Sequence, residues 1–239
     1  MGIEGTAHTP GSATILGGEP SEARRGLAGV SWLGAERNPG SGFALGGSMI
    51  LLFTTAAEAV FPGYSVHTDA ISYLGGAGVA TALFWDGQLF VAGLLWLWSS
   101  GLLFRWHLRP WRSLPFYLTS AGMIMVSVAP WNLLPSVHGI GALMVLLFGI
   151  GSCVVGARMT HGEMRGVSYL AASISLAAFL VGFLGDFGPL GPGGLERMYY
   201  YPIFLWEIAF GGYLLGGGTT MGSNHGGDGL LRPAVRRGA

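Results

Sequence analysis

Residues 43-FALGGSMILLFTTAAEAVF-61 form an apolar run broken by a single charged side chain, Glu58, and lead straight into 61-FPGYSVHTDAISYLGG-76. Backbone groups in lipid must be paired within their own segment, so a run this long predicts a membrane-crossing helix rather than a strand. The polar segment after it sets Tyr64, Ser65, His67, Thr68 and Asp69 at the membrane edge. Pro62 and Gly63 in sequence predict a tight turn at the helix end. Ser65, Thr68 or Asp69 can cap the next segment, and 71-ISYLGG-76 reads as a short interfacial helix or a re-entrant piece.

Further runs of the same kind succeed it along the chain. The expected helices cover about 42–61, 84–104, 114–130, 137–157, 167–186 and 200–220, each near the ~20 residues that a bilayer core requires. Composition agrees. The 239 residues are 51% hydrophobic and 10% charged, with a mean hydropathy of +0.52, whereas soluble domains carry about 25% charged residues. The fold class is therefore an all-α integral membrane protein of six transmembrane helices, at home in the lipid bilayer of the plasma membrane. Residues 1–40 and 222–239, rich in Gly and Arg, read as loose tails around a transmembrane domain over 41–221. Zero net charge argues against a nucleic-acid partner. The lone Cys153 lies in an apolar run and has no partner for an internal disulfide. Gly42 and Gly46, and Gly212 and Gly216, have the four-residue spacing that lets helix backbones approach closely.

All twelve basic residues are arginine, and eleven fall on one side of the predicted topology. They occupy the two tails and the loops 105-RWHLRPWR-112 and 158-RMTHGEMR-165; the opposite side has only Arg197. Basic residues flanking helices stay cytoplasmic, so both termini are expected in the cytoplasm. Trp106, Trp111 and Trp131 fall near the predicted interfaces, where aromatics anchor helices.

This topology gathers three segments outside: 61–76, 130-PWNLLPSVH-138 and 185-GDFGPLGPGGLERMYY-200. With the adjoining helix ends they bring Glu58, Asp86 and Glu207 near the outer face. Ionisable groups at membrane depth face the bundle interior and are paired, which predicts an outward-opening polar cavity. Arg197 needs a carboxylate, expected to be Glu207 or Asp186, or an anionic ligand. The candidate acid–base or catalytic groups are His67, Asp69 and His138. The candidate ligand-binding residues are Tyr64, Ser65, Asn132, Asp186, Glu196, Arg197 and Glu207. His67, Asp69 and His138 are also the candidate ligands of a divalent metal. Against a specific chemistry stand the lack of HExxH, CxxC and GxSxG motifs, and each polar residue has a structural use as a cap or loop pair.

The segment 61-FPGYSVHTDAISYLG-75 is similar to the YPGYS…TNAISDLG signature of the family known as domain of unknown function 998. Pro130 and Asn132 after the third helix, His138 opening the fourth, and 194-GLERMYYYPIFLW-206 entering the sixth agree with that family. Tyr73 stands where the family often has Asp, and Asp69 where it often has Asn. The resemblance covers about 42–220. It implies a six-helix membrane protein of bacteria or archaea and no settled activity. Three functions remain open. One is a membrane protein that binds or modifies a lipid headgroup or a small polar molecule at an extracytoplasmic site. The others are an accessory subunit of a larger respiratory or oxidase-type complex, whose other subunits would be its partners, and a transporter.

Overall fold

The computed structural model describes residues 1–2, 38–106, 110–185 and 187–218. Residues 3–37, 107–109, Asp186 and 219–239, and with them most of the two expected tails, thus lie outside the described residues. Among the described residues there are six α-helices and no strand: α1 Pro39–Val60, α2 Ala82–Trp106, α3 Pro110–Val128, α4 Pro135–Met159, α5 Gly162–Phe183 and α6 Gly191–Leu215. Four of them, α1, α2, α4 and α5, are long and apolar enough to cross a membrane. The chain is a helical membrane protein.

Local chemistry places the ends. Asn38 caps α1 by accepting from Gly40 N at 2.8 Å, and Pro39 fills the first position, where no N–H is missed. The same Asn38 side chain donates to Leu214 O at 3.1 Å, which ties the start of α1 to the end of α6. At its other end α1 stops before Pro62, and Gly63 takes a left-handed φ of 77° in the turn. The segment 71-ISYLG-75 is a 3₁₀-helix.

Each helix packs on its neighbours in the chain, and α6 packs on α1, so the six close into a ring. In lipid the drive for this is close packing rather than exclusion of water. Helix α1 meets both neighbours through glycine. Gly42 and Gly46 lie against Ser99 and Trp96 of α2, while Gly40 and Gly47 lie against Gly211, Phe204 and Ile208 of α6. Of the two pairs expected to be packing faces, only Gly42 and Gly46 behave so; a Cβ on Gly212 would meet nothing within 4 Å. The centre is aromatic: Phe43, Phe116, Trp206 and Phe210 stack or tilt on one another with ring centroids 4.8–6.3 Å apart.

The largest departure from the expected elements is α6. The Gly- and Pro-rich stretch before residue 200 reads as loop, yet the helix begins at Gly191. Pro192 sits in the first turn, where its missing N–H costs nothing. The early start sets Glu196 and Arg197 on a helix rather than in a loop.

Candidate functional site

Three connections meet at one end of the ring: α1 to α2, α3 to α4, and α5 to α6. The α1–α2 segment lies across the first turn of α6. Gly193 N donates to His67 O at 3.0 Å. A Cβ on Gly193 would collide with Val66 O and Asp69 O, so only glycine allows this approach.

Arg197 staples that junction together. Its Nε and Nη2 donate to Glu58 Oε1 of α1 at 3.0 and 2.6 Å. Nη2 also donates to Tyr64 Oη at 2.5 Å. Nη1 donates to Gly193 O at 2.7 Å, and to Val66 O and Asp69 O at 3.3 Å. All five guanidinium N–H groups are thereby spent. The pair is well shielded, with side-chain exposure of 8% for Arg197 and 15% for Glu58. The partner of Arg197 is Glu58 and not Glu207. Tyr64 completes the knot: its hydroxyl donates to Ala70 O at 3.0 Å, and the ring lies 5.6 Å from the guanidinium carbon. Burial pushes the Tyr64 phenol up to about 12, against the opposing pull of Arg197, so it stays protonated at neutral pH.

Most of the other expected site residues hold backbone. Asp69 accepts from Ser65 N at 2.8 Å and from Thr68 Oγ1 at 3.2 Å, closing its own turn. Asn132 grips the Ala77 peptide from both sides, accepting from its N at 2.8 Å and donating to its O at 3.0 Å. His138 places Nδ1 2.7 Å from Ala129 O and so joins the start of α4 to the end of α3. Glu196 Oε2 accepts from Ile71 N at 2.7 Å, capping the 3₁₀-helix. The side chain of His67 is exposed, its ring beside Gly191. His67, Asp69 and His138 are not brought together. Among the described residues no three of His, Cys, Asp and Glu gather as metal ligands.

What does converge is a cavity under this knot, with about 480 Å³ of atom-free space including its open mouth. Its apolar walls are Ile50 of α1, Leu89 of α2, Met123 and Val126 of α3, Val145 of α4 and Phe204 of α6. Its polar groups are Thr54, Ser72, His138, Glu196, Tyr200 and Tyr201. Thus His138 and Glu196, distant in sequence, border one space. Thr54, Ser72, Tyr200 and Tyr201 were not singled out by sequence reading. The signal available was the run 199-YYY-201, one residue beyond Glu196 and Arg197, which is unusual on a helix facing lipid.

Glu207 does not line the cavity. It is 1% exposed, and its Oε2 has no hydrogen-bond partner. It shares the face of α6 that carries Glu196 and Tyr200, at about 16 Å below Glu196 by helical rise.

The profile of a family described as protein of unknown function (DUF998) matches residues 44–213. No curated protein and no solved structure matches the chain.

Proposed function

The chain belongs to the DUF998 family, and from that premise we propose a six-span membrane protein that binds a small amphipathic molecule in the cavity beneath its outer loops. One observation carries this reading: five of the six helices converge on a space with apolar walls and a few polar groups at one end. Binding sites for small molecules have that make-up. Helix α5 takes no part in the lining. The knot around Arg197 gives the site a rigid roof, because it fixes the α1–α2 segment, α1 and α6 to one another.

The orientation rests on the arginines. Eleven of twelve fall, by sequence, in the tails and in the loops 105–112 and 158–165, and because basic flanks stay cytoplasmic this supports a cavity that opens to the extracytoplasmic side. Helices α3 and α6 are less apolar than the other four, which suits spans whose polar groups face the interior; Arg197 is 7% and Glu207 1% exposed. His138 and Glu196 bring an imidazole and a carboxyl group to the cavity and are its candidates for holding a polar head.

Native mass spectrometry of the full chain, released from its own membranes in mild detergent, tests the reading. A retained small molecule is expected on the native protein and absent from a folded His138→Ala variant. An empty chain in fixed stoichiometry with other proteins would count against it and favour a subunit role.

A further inference from the structure

We infer that the molecule held in the cavity carries a head that donates hydrogen bonds and bears no negative charge, an ammonium or a hydroxyl group, on an apolar body. This rests on the cavity being a binding site, as proposed above.

The argument is an account of donors. Tyr200 spends its hydroxyl proton on Ala142 O at 3.0 Å. Tyr201 directs its hydroxyl to Glu58 Oε1 at 3.4 Å. Trp85 Nε1 donates to Thr54 Oγ1 at 3.3 Å. His138 Nδ1 sits 2.7 Å from Ala129 O, and a carbonyl oxygen only accepts, so the ring proton is on Nδ1. The neutral ring then offers a bare lone pair at Nε2. Glu196 already accepts from Ile71 N and has acceptor capacity left. The guanidinium of Arg197, next in sequence to Glu196, is fully used in the knot and does not line the cavity. Only the hydroxyls of Thr54 and Ser72 can act either way.

A ligand therefore meets acceptors and one carboxyl group, with no cation beside them. An ammonium head would pair with Glu196, and a hydroxyl head would donate to Glu196 or to His138 Nε2. A carboxylate or phosphate head would be taken out of water without a counter-charge, which is strongly unfavourable. The expected anion-binding role of Arg197 is thus replaced by selection against anions.

Three probes of matched chain length separate the possibilities: dodecylamine, dodecanol and dodecanoate. Each is titrated into the purified full chain in an uncharged maltoside detergent, with tryptophan fluorescence as readout, since Trp85 lines the cavity. The amine and the alcohol are expected to bind at least about tenfold more tightly than dodecanoate, the weight of one charge-assisted hydrogen bond. Glu196→Gln keeps an acceptor for Ile71 N and is expected to weaken the amine about tenfold while leaving the alcohol within about threefold. Ala142→Leu, which fills the cavity, should abolish both signals. Dodecanoate binding as tightly as the amine, and lost on Ala142→Leu, would overturn the donor-head inference and leave the binding site standing. Signals that persist unchanged in Ala142→Leu, or no binding of any probe, would overturn both.

Discussion

Arg197 shows what a single residue can carry. Among the described residues it is the one arginine at its end of the molecule, and it joins three separate pieces of chain through six hydrogen bonds. Removing one partner of a buried pair strands the other, at a cost of about 3–5 kcal/mol. Arg197→Ala is therefore expected to lower thermal stability by about that much, and Glu58→Ala to do the same. The double variant should lose clearly less than their sum, because each single change already breaks the shared contact. Thermal unfolding in detergent measures the cycle; strict additivity would mean that the pair is not coupled. Tyr64 adds a pH signature. Its folded phenol titrates near 12, above the ordinary value of 10.0, so the folded state holds the proton more tightly. Its stabilisation is complete below pH 10 and is lost as pH rises from there through 12. Subtracting the stability profile of Tyr64→Phe from that of the native chain should isolate this fall. Glu207 runs the other way. Its orphaned oxygen carries a desolvation cost of about 1–3 kcal/mol with no visible return. Glu207→Met should raise the midpoint or leave it unchanged, and a clear drop would show that the carboxyl has a partner in the working protein. Sequence reading saw that Arg197 needed a carboxylate and named Glu207 or Asp186. It could not see that the α1–α2 segment folds back over α6 and brings Glu58 within reach.

At the scale of elements, what was legible tracked the apolar runs. α1 to α5 lie within a few residues of their expected spans, since length and hydropathy decide them. The start of α6 was not legible, because Gly and Pro read as turn residues when the helix's first turn tolerates both. Its real constraint is tertiary: Gly193 makes room for the backbone of the α1–α2 segment. Gly193→Ala should push that segment off α6 at a cost of roughly 1–3 kcal/mol, the usual penalty for overpacking. Limited proteolysis reads the result directly. New cleavage between residues 61 and 70 is expected, with the helices themselves left intact; a digestion pattern like that of the native chain would mean that the contact bears no weight. The candidate site was legible to the same degree. Asn132 and Asp69 were visible as polar groups, but their use as a peptide clamp and a turn closure depends on neighbours that only the fold supplies.

For the whole molecule, the ring in chain order forces consecutive helices to alternate direction, so every crossing tests all the others. Position 80 lies between α1 and α2, Leu133 between α3 and α4, and Pro189 just before α6; all three are exposed at the cavity end. Glu163 is exposed at the opposite end, at the start of α5. The native thiol, Cys153, is buried and gives little background. Single cysteines introduced as Ala80→Cys, Leu133→Cys, Pro189→Cys and Glu163→Cys can then be offered an impermeant maleimide on intact cells. Six crossings with both termini in the cytoplasm predict labelling at the first three positions, and at Glu163→Cys only after permeabilisation. The two less apolar helices decide the informative cases. If α3 failed to cross, Leu133→Cys would label with the inner group; if α6 failed, the chain would end on the side where Pro189→Cys labels. Wholesale reversal would point the cavity at the cytoplasm. The arginines would then have failed as a guide to orientation, and an extracytoplasmic ligand would lose its access.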